Sequence, residues 1–348
     1  MRGPAGNPRA ALLPYRTESG WCVAVRRGSV IFVSDCVRLP SLPGDGARNR
    51  AGPRRCKGKV RHSVSTTWKP LDRRQLTFRP LGERRNRVTI ERDALRPGDP
   101  PESLSPAARE VVSATADAVR AARRNDRPVM MAFGAHTIKN GCGPLLIHLM
   151  EKGWLTHLAT NGAGIIHDWE FAYLGETSED VRVNVAQGTF GMWEETGRHL
   201  NLALVTGAAA GLGYGASVGR LVEEDCHRIP TEGELEERLA AAAASAGPES
   251  ARDAAAAADL LALLRESGIE PGDVPVAHPW KSYSVQAAAF RRGVPLTGHP
   301  MIGHDIIYTH PFNCCAAIGR AAERDFLRFA GQVADLRDGV YLSVGSAV

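Results

Sequence analysis

The sequence predicts an α/β fold: a Rossmann-like parallel sheet with helices on both faces, preceded by a disordered basic segment. Three observations carry that expectation. Apolar runs alternate with helical patterns from about residue 105 onward, several of the runs end in glycine-rich loops, and the charge changes sign along the chain. Residues 1–100 hold 22 Lys and Arg against 8 Asp and Glu, whereas residues 101–348 hold 21 against 30. Strand–helix alternation implies right-handed crossovers and a parallel sheet. At 348 residues the chain exceeds what one core usually fills, so one large domain plus extra segments is expected.

Taken in order, residues 1–100 come first. Stretches such as "RLPSLPGDGARNRAGPRRCKGKVRH" carry breakers and little apolar periodicity, so the segment is expected to be disordered. "WCVAVRRGSVIFVSDCV" could form a hairpin but is too short for a membrane span. No aromatic interleaving or docking motif accompanies the Arg residues, which argues against a nucleic-acid arm. Arg, Gly, Pro and Asn follow Met1 instead of an apolar stretch, so no secretory leader is expected. Seven cysteines without CxxC spacing argue against a disulfide framework or structural zinc and fit a cytoplasmic protein.

The domain at 101–348 opens with "SPAAREVVSATADAVRAARRND", a helix with a Ser cap and Pro in its first turn. "RPVMMAFG" reads as a buried strand, "CGPLLIHLMEKGW" as a helix ending at Gly153, and "LTHLAT" as the next strand. After "NGAG" a second helical pattern starts from Asp168. "DVPVAHPW", "SVQAAAFRRG", "VPLTGHP" and "CCAAIGRAAERDFLRFAGQVADL" continue the alternation, and "GVYLSVG" is the last strand. Residues 232–266 are Ala-rich and charged, with "SAGPES" breaking two helices, and read as a helical insertion.

Ligands of open parallel sheets bind beyond the carboxyl ends of the strands, where "GAHTIKNG", "TNGAGIIHD", "GHPMIGHDIIYTHP" and "VGSAV" all fall. Small residues there let phosphates or ribose approach main-chain N–H groups, and a helix N-terminus favours an anion. The nucleotide-contacting candidates are Gly134, Ala135, His136 and Thr137, then Thr160, Asn161, Gly162, Ala163 and Gly164, then Gly345 and Ser346. For catalysis, His167 or His304 would be the acid or base, because imidazole titrates near working pH, and Asp168 or Asp305 would orient it.

Two other patterns point elsewhere. "LVTGAAAGLGYGAS" has the TGxxxGxG spacing of short-chain dehydrogenases, but no Tyr-x-x-x-Lys follows, and the stretch reads better as helices packed closely through glycine. His136, His167 and His304 could serve a metal-assisted lyase or hydrolase, although no HxH or HxxxH spacing secures a metal and none is expected. A noncatalytic nucleotide-binding module is a further alternative.

At these loops the chain resembles deoxyhypusine synthase, over about residues 127–348. "GAHTIKNG" stands where that family has a Thr-Ser-Asn loop, and "ATNGAGIIHDWEFAYLGE" where it has Thr-Thr-Ala-Gly-Gly-Val-Glu-Glu-Asp and a later Leu-Gly-Glu. "MIGHDIIYTHP" is similar to its Gly-Asp-Met-Ile-Phe-Phe-His segment, and "GVYLSVGSAV" to its glycine-rich strand end. The resemblance implies an NAD cofactor on Gly134, Ala135, Thr160, Gly162, Ala163, Gly164 and Asp168. It also implies aminobutyl transfer from a polyamine, and a homo-oligomer. Ile166 and His167 replace the family's Glu pair, which removes a carboxylate for a ribose. The family's imine-forming lysine lies beyond the segment that "GVYLSVGSAV" resembles, so deoxyhypusine formation is not expected of this sequence; Lys139 and Lys281 are the lysines near strand ends.

Overall fold

The computed structural model describes residues 69–100, 103–245 and 247–345, and three short strands nearer the N-terminus. Those strands, β1 (Tyr15–Arg16), β2 (Trp21–Arg26) and β3 (Ser29–Ser34), form an antiparallel sheet in that order, and β2–β3 is the expected hairpin.

β4 (Asn86–Thr89) and the helical turn α1 (Ile90–Asp93) still belong to the basic segment. Ser105 then caps α2 (Pro106–Arg124) by accepting from Ala108 N, with Pro106 in the first turn as the sequence predicts. β5 (Val129–Phe133) leads into the short α3 (Ala135–Lys139) and into α4 (Gly143–Glu151), beyond which Gly153 turns the chain with a positive φ. β6 (His157–Asn161) runs directly into α5 (Gly162–Leu174), and the left-handed Gly175 ends that helix ahead of β7 (Glu176–Glu179) and α6 (Val181–Gln187). Next come α7 (Glu194–Ala209), α8 (Tyr214–Glu224) and β8 (Cys226–Ile229).

The Ala-rich insertion is two helices, α9 (Glu232–Ala244) and α10 (Pro248–Ser267), and their Leu235, Leu260 and Leu264 pack with Leu202 and Val205 of α7. β9 (Gly272–Pro275), α11 (Val285–Arg292), β10 (Leu296–His299), α12 (Cys315–Ala334) and β11 (Val340–Val344) complete the described chain.

The central sheet has four parallel strands in the order β10-β6-β5-β11. One register row reads Leu296, Leu158, Met131, Leu342 across it. Because side chains alternate along a strand, Val129, Met131 and Phe133 face one core together with Leu146 and Met150 of α4, Ala122 of α2 and Val285 of α11. On the other face Phe329 of α12 meets the rings of His157, His299 and Tyr341 edge-on. Helices therefore flank the sheet on both sides, the architecture expected from the alternation. Among the described residues no single helix is long and apolar enough to cross a membrane.

"LVTGAAAGLGYGAS" spans the end of α7 and the start of α8, where its glycines serve packing. A Cβ on Gly207 would overlap Ser217, and one on Gly215 would overlap the Leu296 carbonyl. The helical reading of this stretch is the one the structure bears out.

Three expectations need correction. "DVPVAHPW" does not enter the parallel sheet: β9 pairs antiparallel with β8 in a separate ribbon. Its Asp273 and Pro275 are exposed, so the strand lacks the apolar faces a central position demands. Helix α5 begins at Gly162, six residues before Asp168, because Asn161 caps it.

The expected disorder of residues 1–100 also fails for its last part, since residues 79–100 pack on the α/β domain. β4 pairs antiparallel with β7, Leu81 is fully buried, and Leu81 N donates to Glu195 Oε2 at 2.6 Å. Net charge hid this attachment, because one buried Leu and one neutralised Arg suffice to anchor a polar stretch. Trypsin should accordingly leave the Arg84–Arg85 bond of the native protein intact. Cleavage there as fast as at the exposed Arg74 would show that the segment is not docked.

Candidate functional site

The four loops named from the sequence do gather at the C-terminal edge of the sheet, since β5, β6, β10 and β11 run parallel and end at Phe133, Asn161, His299 and Val344. Beyond that edge lies a cavity of about 290 Å³. Helix α5 supplies one wall through Ala163, Ile166, His167 and Glu170, spaced i, i+3, i+4, i+7 and therefore on one face. Lys139 enters from α3, Ser178 and Glu179 from β7, Arg84 from the segment before β4, and His304 and Asp305 from the stretch after β10.

His167 is the chemical centre of this wall. Its side chain is 19% exposed, and its Nδ1 lies 2.7 Å from Thr177 Oγ1. The Thr177 hydroxyl has one proton, which it donates to Glu170 Oε2 at 2.6 Å. Thr177 must then accept from His167, so the ring carries its proton on Nδ1 and Nε2 presents a lone pair. Glu170 is held by Arg84 through two parallel bonds of 2.8 and 2.7 Å, and Thr196 adds a third donor at 3.1 Å. Burial alone would push the Glu170 carboxyl up, but Arg84 and the surrounding donors hold it well below the usual carboxylate range. The ionised carboxylate fixes the direction of every proton in the chain His167–Thr177–Glu170.

The rest of the wall is also polar and constrained. Glu179 accepts from Gly191 N, Trp193 Nε1 and Asn184 Nδ2 at 3.1, 3.1 and 2.6 Å. Ser178 sits at φ 71°, a left-handed conformation that a non-glycine residue adopts at a cost of about 1–3 kcal/mol and that recurs at functional sites. Asp305 Oδ2 is buried without a hydrogen-bond partner, and burial pushes its carboxyl up. Lys139 has no ion-pair partner among the described residues.

Of the four catalytic candidates, His167, His304 and Asp305 reach the cavity, and Asp168 does not. Its carboxylate turns to the start of α11, accepting from Ser284 Oγ, Val285 N, Gln286 N and Gln286 Nε2 at 2.7, 2.8, 3.1 and 3.0 Å. Adjacent helical residues point about 100° apart, so Asp168 cannot orient His167. The orienting role passes to Thr177 and Glu170. Lys281 is likewise engaged elsewhere, with Asp225 Oδ2 at 2.5 Å.

The nucleotide candidates fare differently. Ala163 lines the cavity, whereas Asn161 caps α5 by accepting from Gly164 N at 2.9 Å and Thr160 donates to the Phe133 carbonyl at 2.9 Å. A Cβ on Gly164 would overlap Thr160, and one on Gly162 would overlap Asp305. Both glycines thus admit side chains of this protein to the place expected for a pyrophosphate. Gly134 N donates to the Val344 carbonyl, Ala135 and Thr137 are buried, and His136 is exposed. Gly345, at φ 79°, approaches Thr137, and Ser346 lies outside the described residues.

The volume is at the lower end of the roughly 300–1,000 Å³ of ligand pockets. With Thr160 and Asp305 filling the glycine cradles, these residues do not fit an extended dinucleotide such as NAD; they fit a ligand of mononucleotide size or smaller. Among the described residues no three His, Cys, Asp or Glu side chains form a metal-ligand set, so His136, His167 and His304 are not assembled as one.

Arg84, Thr177, Ser178 and Glu179 are site residues that sequence reasoning missed. Glu170 had a signal, its i+3 spacing from His167. No protein-family model matches this chain and no curated protein matches it, so the reading of the site rests on this geometry.

Proposed function

We propose that the protein is an enzyme of the acid–base type acting on a small polar ligand at the C-terminal edge of the sheet, with His167 as the proton carrier. The observation that carries this reading is the hydrogen-bond chain from His167 Nδ1 through Thr177 to the Arg84-bound Glu170. It leaves one imidazole lone pair, on Nε2, for a proton from outside the protein. A histidine needed only for packing has no use for a buried, charge-compensated carboxylate behind it.

In this mechanism neutral His167 accepts a proton on Nε2 from an N–H or O–H group of the ligand. The imidazolium keeps its Nδ1–H bond to Thr177, and Glu170 stabilises the positive charge through that hydroxyl. Lys139 faces the negative charge left on the ligand. The resemblance to deoxyhypusine synthase supports group transfer involving an amine as the reaction class. The four described cysteines are free thiols, which supports a cytoplasmic setting.

Adenosine monophosphate, NAD(H) and spermidine are the probes that test the reading. The one that binds should move the His167 ring resonances in histidine-labelled protein, and Ala163→Phe should weaken that binding at least tenfold. Once turnover is found, His167→Ala should lower it by about 10²–10⁴. Binding of a probe that ignores both substitutions would place the site elsewhere.

A further inference from the structure

Arg84 comes from the segment whose composition reads as a disordered basic arm, yet it reaches the centre of the site. All three of its guanidinium nitrogens are engaged: Nη1 and Nη2 with Glu170, and Nε with Asn86 Oδ1 at 2.8 Å. Its carbon lies 5.7 Å from the centre of the Trp193 ring, so a ring covers it as well. The side chain is 2% exposed and that of Glu170 1%. Arg84 is thus spent on Glu170, and Glu170 is the group that His167 meets through Thr177.

We propose that Arg84 is a positioning residue that sets how strongly His167 holds a proton, acting through Glu170 and Thr177. This inference rests on the acid–base reading of the cavity. The physical reason is competition for one carboxylate. With Arg84 bound, Glu170 is ionised and most of its charge is compensated, so its pull on the His167 ring is weak. Without Arg84, the same buried carboxylate has only the Thr177 and Thr196 hydroxyls as donors, and the nearest group able to become a cation is the His167 ring, 3.7 Å away. His167 would then be protonated at neutral pH and unable to act as a base.

The other charged and titratable groups around His167 do not duplicate this role. Glu179 on β7 adds a second carboxylate to the wall, with three donors of its own. Lys139 on α3 and, after β10, His304 and Asp305 line the same cavity. Of these charged side chains only Arg84 is hydrogen-bonded to the carboxylate that the His167 chain ends on. The basic segment therefore delivers a working part of the site, through residues 81–89 docked on β7 and α5.

The test is a pH titration of histidine-labelled full-length protein by NMR, without ligand, the His167 signal being assigned by its loss in His167→Gln. Arg84→Met should raise the ratio of protonated to neutral His167 at pH 7 at least tenfold over wild type. Arg84→Met with Glu170→Gln should bring the ratio back to within threefold, and Arg84→Lys, which keeps the charge but not the two parallel bonds, should fall between. If Arg84→Met does not fold, Arg84→Lys and Thr177→Val decide: the first should raise the ratio and the second should lower it.

Ratios within twofold of wild type in every folded variant would overturn the proposal. Ligand plays no part in this titration. A titration that moves as expected while no ligand ever perturbs His167 would sink the acid–base function and leave the role of Arg84 standing; the reverse combination would do the opposite.

Discussion

Arg84→Met should lower the unfolding free energy by about 3–5 kcal/mol, the usual cost of removing one partner from a buried ion pair. Almost all of that cost is the fate of Glu170. The Met side chain can still cover Trp193, so little packing is lost, but the carboxylate loses both guanidinium bonds while remaining 1% exposed. Thr177 and Thr196 cannot replace the charge. The double variant with Glu170→Gln should recover most of the loss, because a neutral amide among hydroxyls does not need a cation. Urea titrations report both, with unchanged m-values indicating that the folded state is still compact. A loss under 1 kcal/mol for the single variant would mean that water reaches Glu170, and the proton directions drawn for His167 and Thr177 would no longer hold.

The same residues show how far the sequence could be read. The strands β5 and β6 are legible because each is a short run of mostly buried residues, and α2 because its Ser105 cap, its Pro106 and its apolar spacing agree. The start of α5 is not, since "NGAG" has poor helix propensity. The Asn161 cap on Gly164 N overrules it, and the glycines are required by Thr160 and by Asp305, which lies more than 140 positions from Gly162. His167 can be named as an imidazole beside a strand end. Its partner Thr177 cannot, because only the left-handed turn at Gly175 folds β7 back along α5. Asp168 was attractive merely as the neighbour of His167, and helix geometry sends it to the opposite core. Arg84 was concealed by its surroundings: one buried Arg among many solvated ones leaves no mark in composition.

The largest response to conditions should be to acid. Burial pushes His157 and His199 down to about 4 and His227 to about 3, from an ordinary 6.5, with neighbouring cationic groups adding to the effect. The bonds agree with this. His199 Nδ1 and His227 Nε2 lie 3.1 Å apart and share a single proton, so a second one breaks the contact. His157 Nδ1 is buried with no acceptor for a proton, and His278, also lowered by burial, accepts from Trp169 on Nε2 at 3.2 Å.

For a base whose folded pKa is depressed, the unfolded chain binds more protons, so stability is full above about pH 6.5 and falls as pH drops toward the folded value. Each of the three contributes a loss of about 2 kcal/mol at pH 5 by this linkage. Asp325 works in the other direction: burial raises it to about 6, against three backbone donors, so its contribution grows on acidification and offsets about 1 kcal/mol at pH 5. Glu170 begins to give up its share as pH falls through the ordinary carboxylate range and loses the rest well below it. The imidazole losses outweigh the Asp325 gain, so stability should fall steadily as pH drops below about 6.5. Urea midpoints between pH 7.5 and 4.5 measure it, and a midpoint at pH 5 equal to that at pH 7.5 would show that these imidazoles are hydrated in the folded protein.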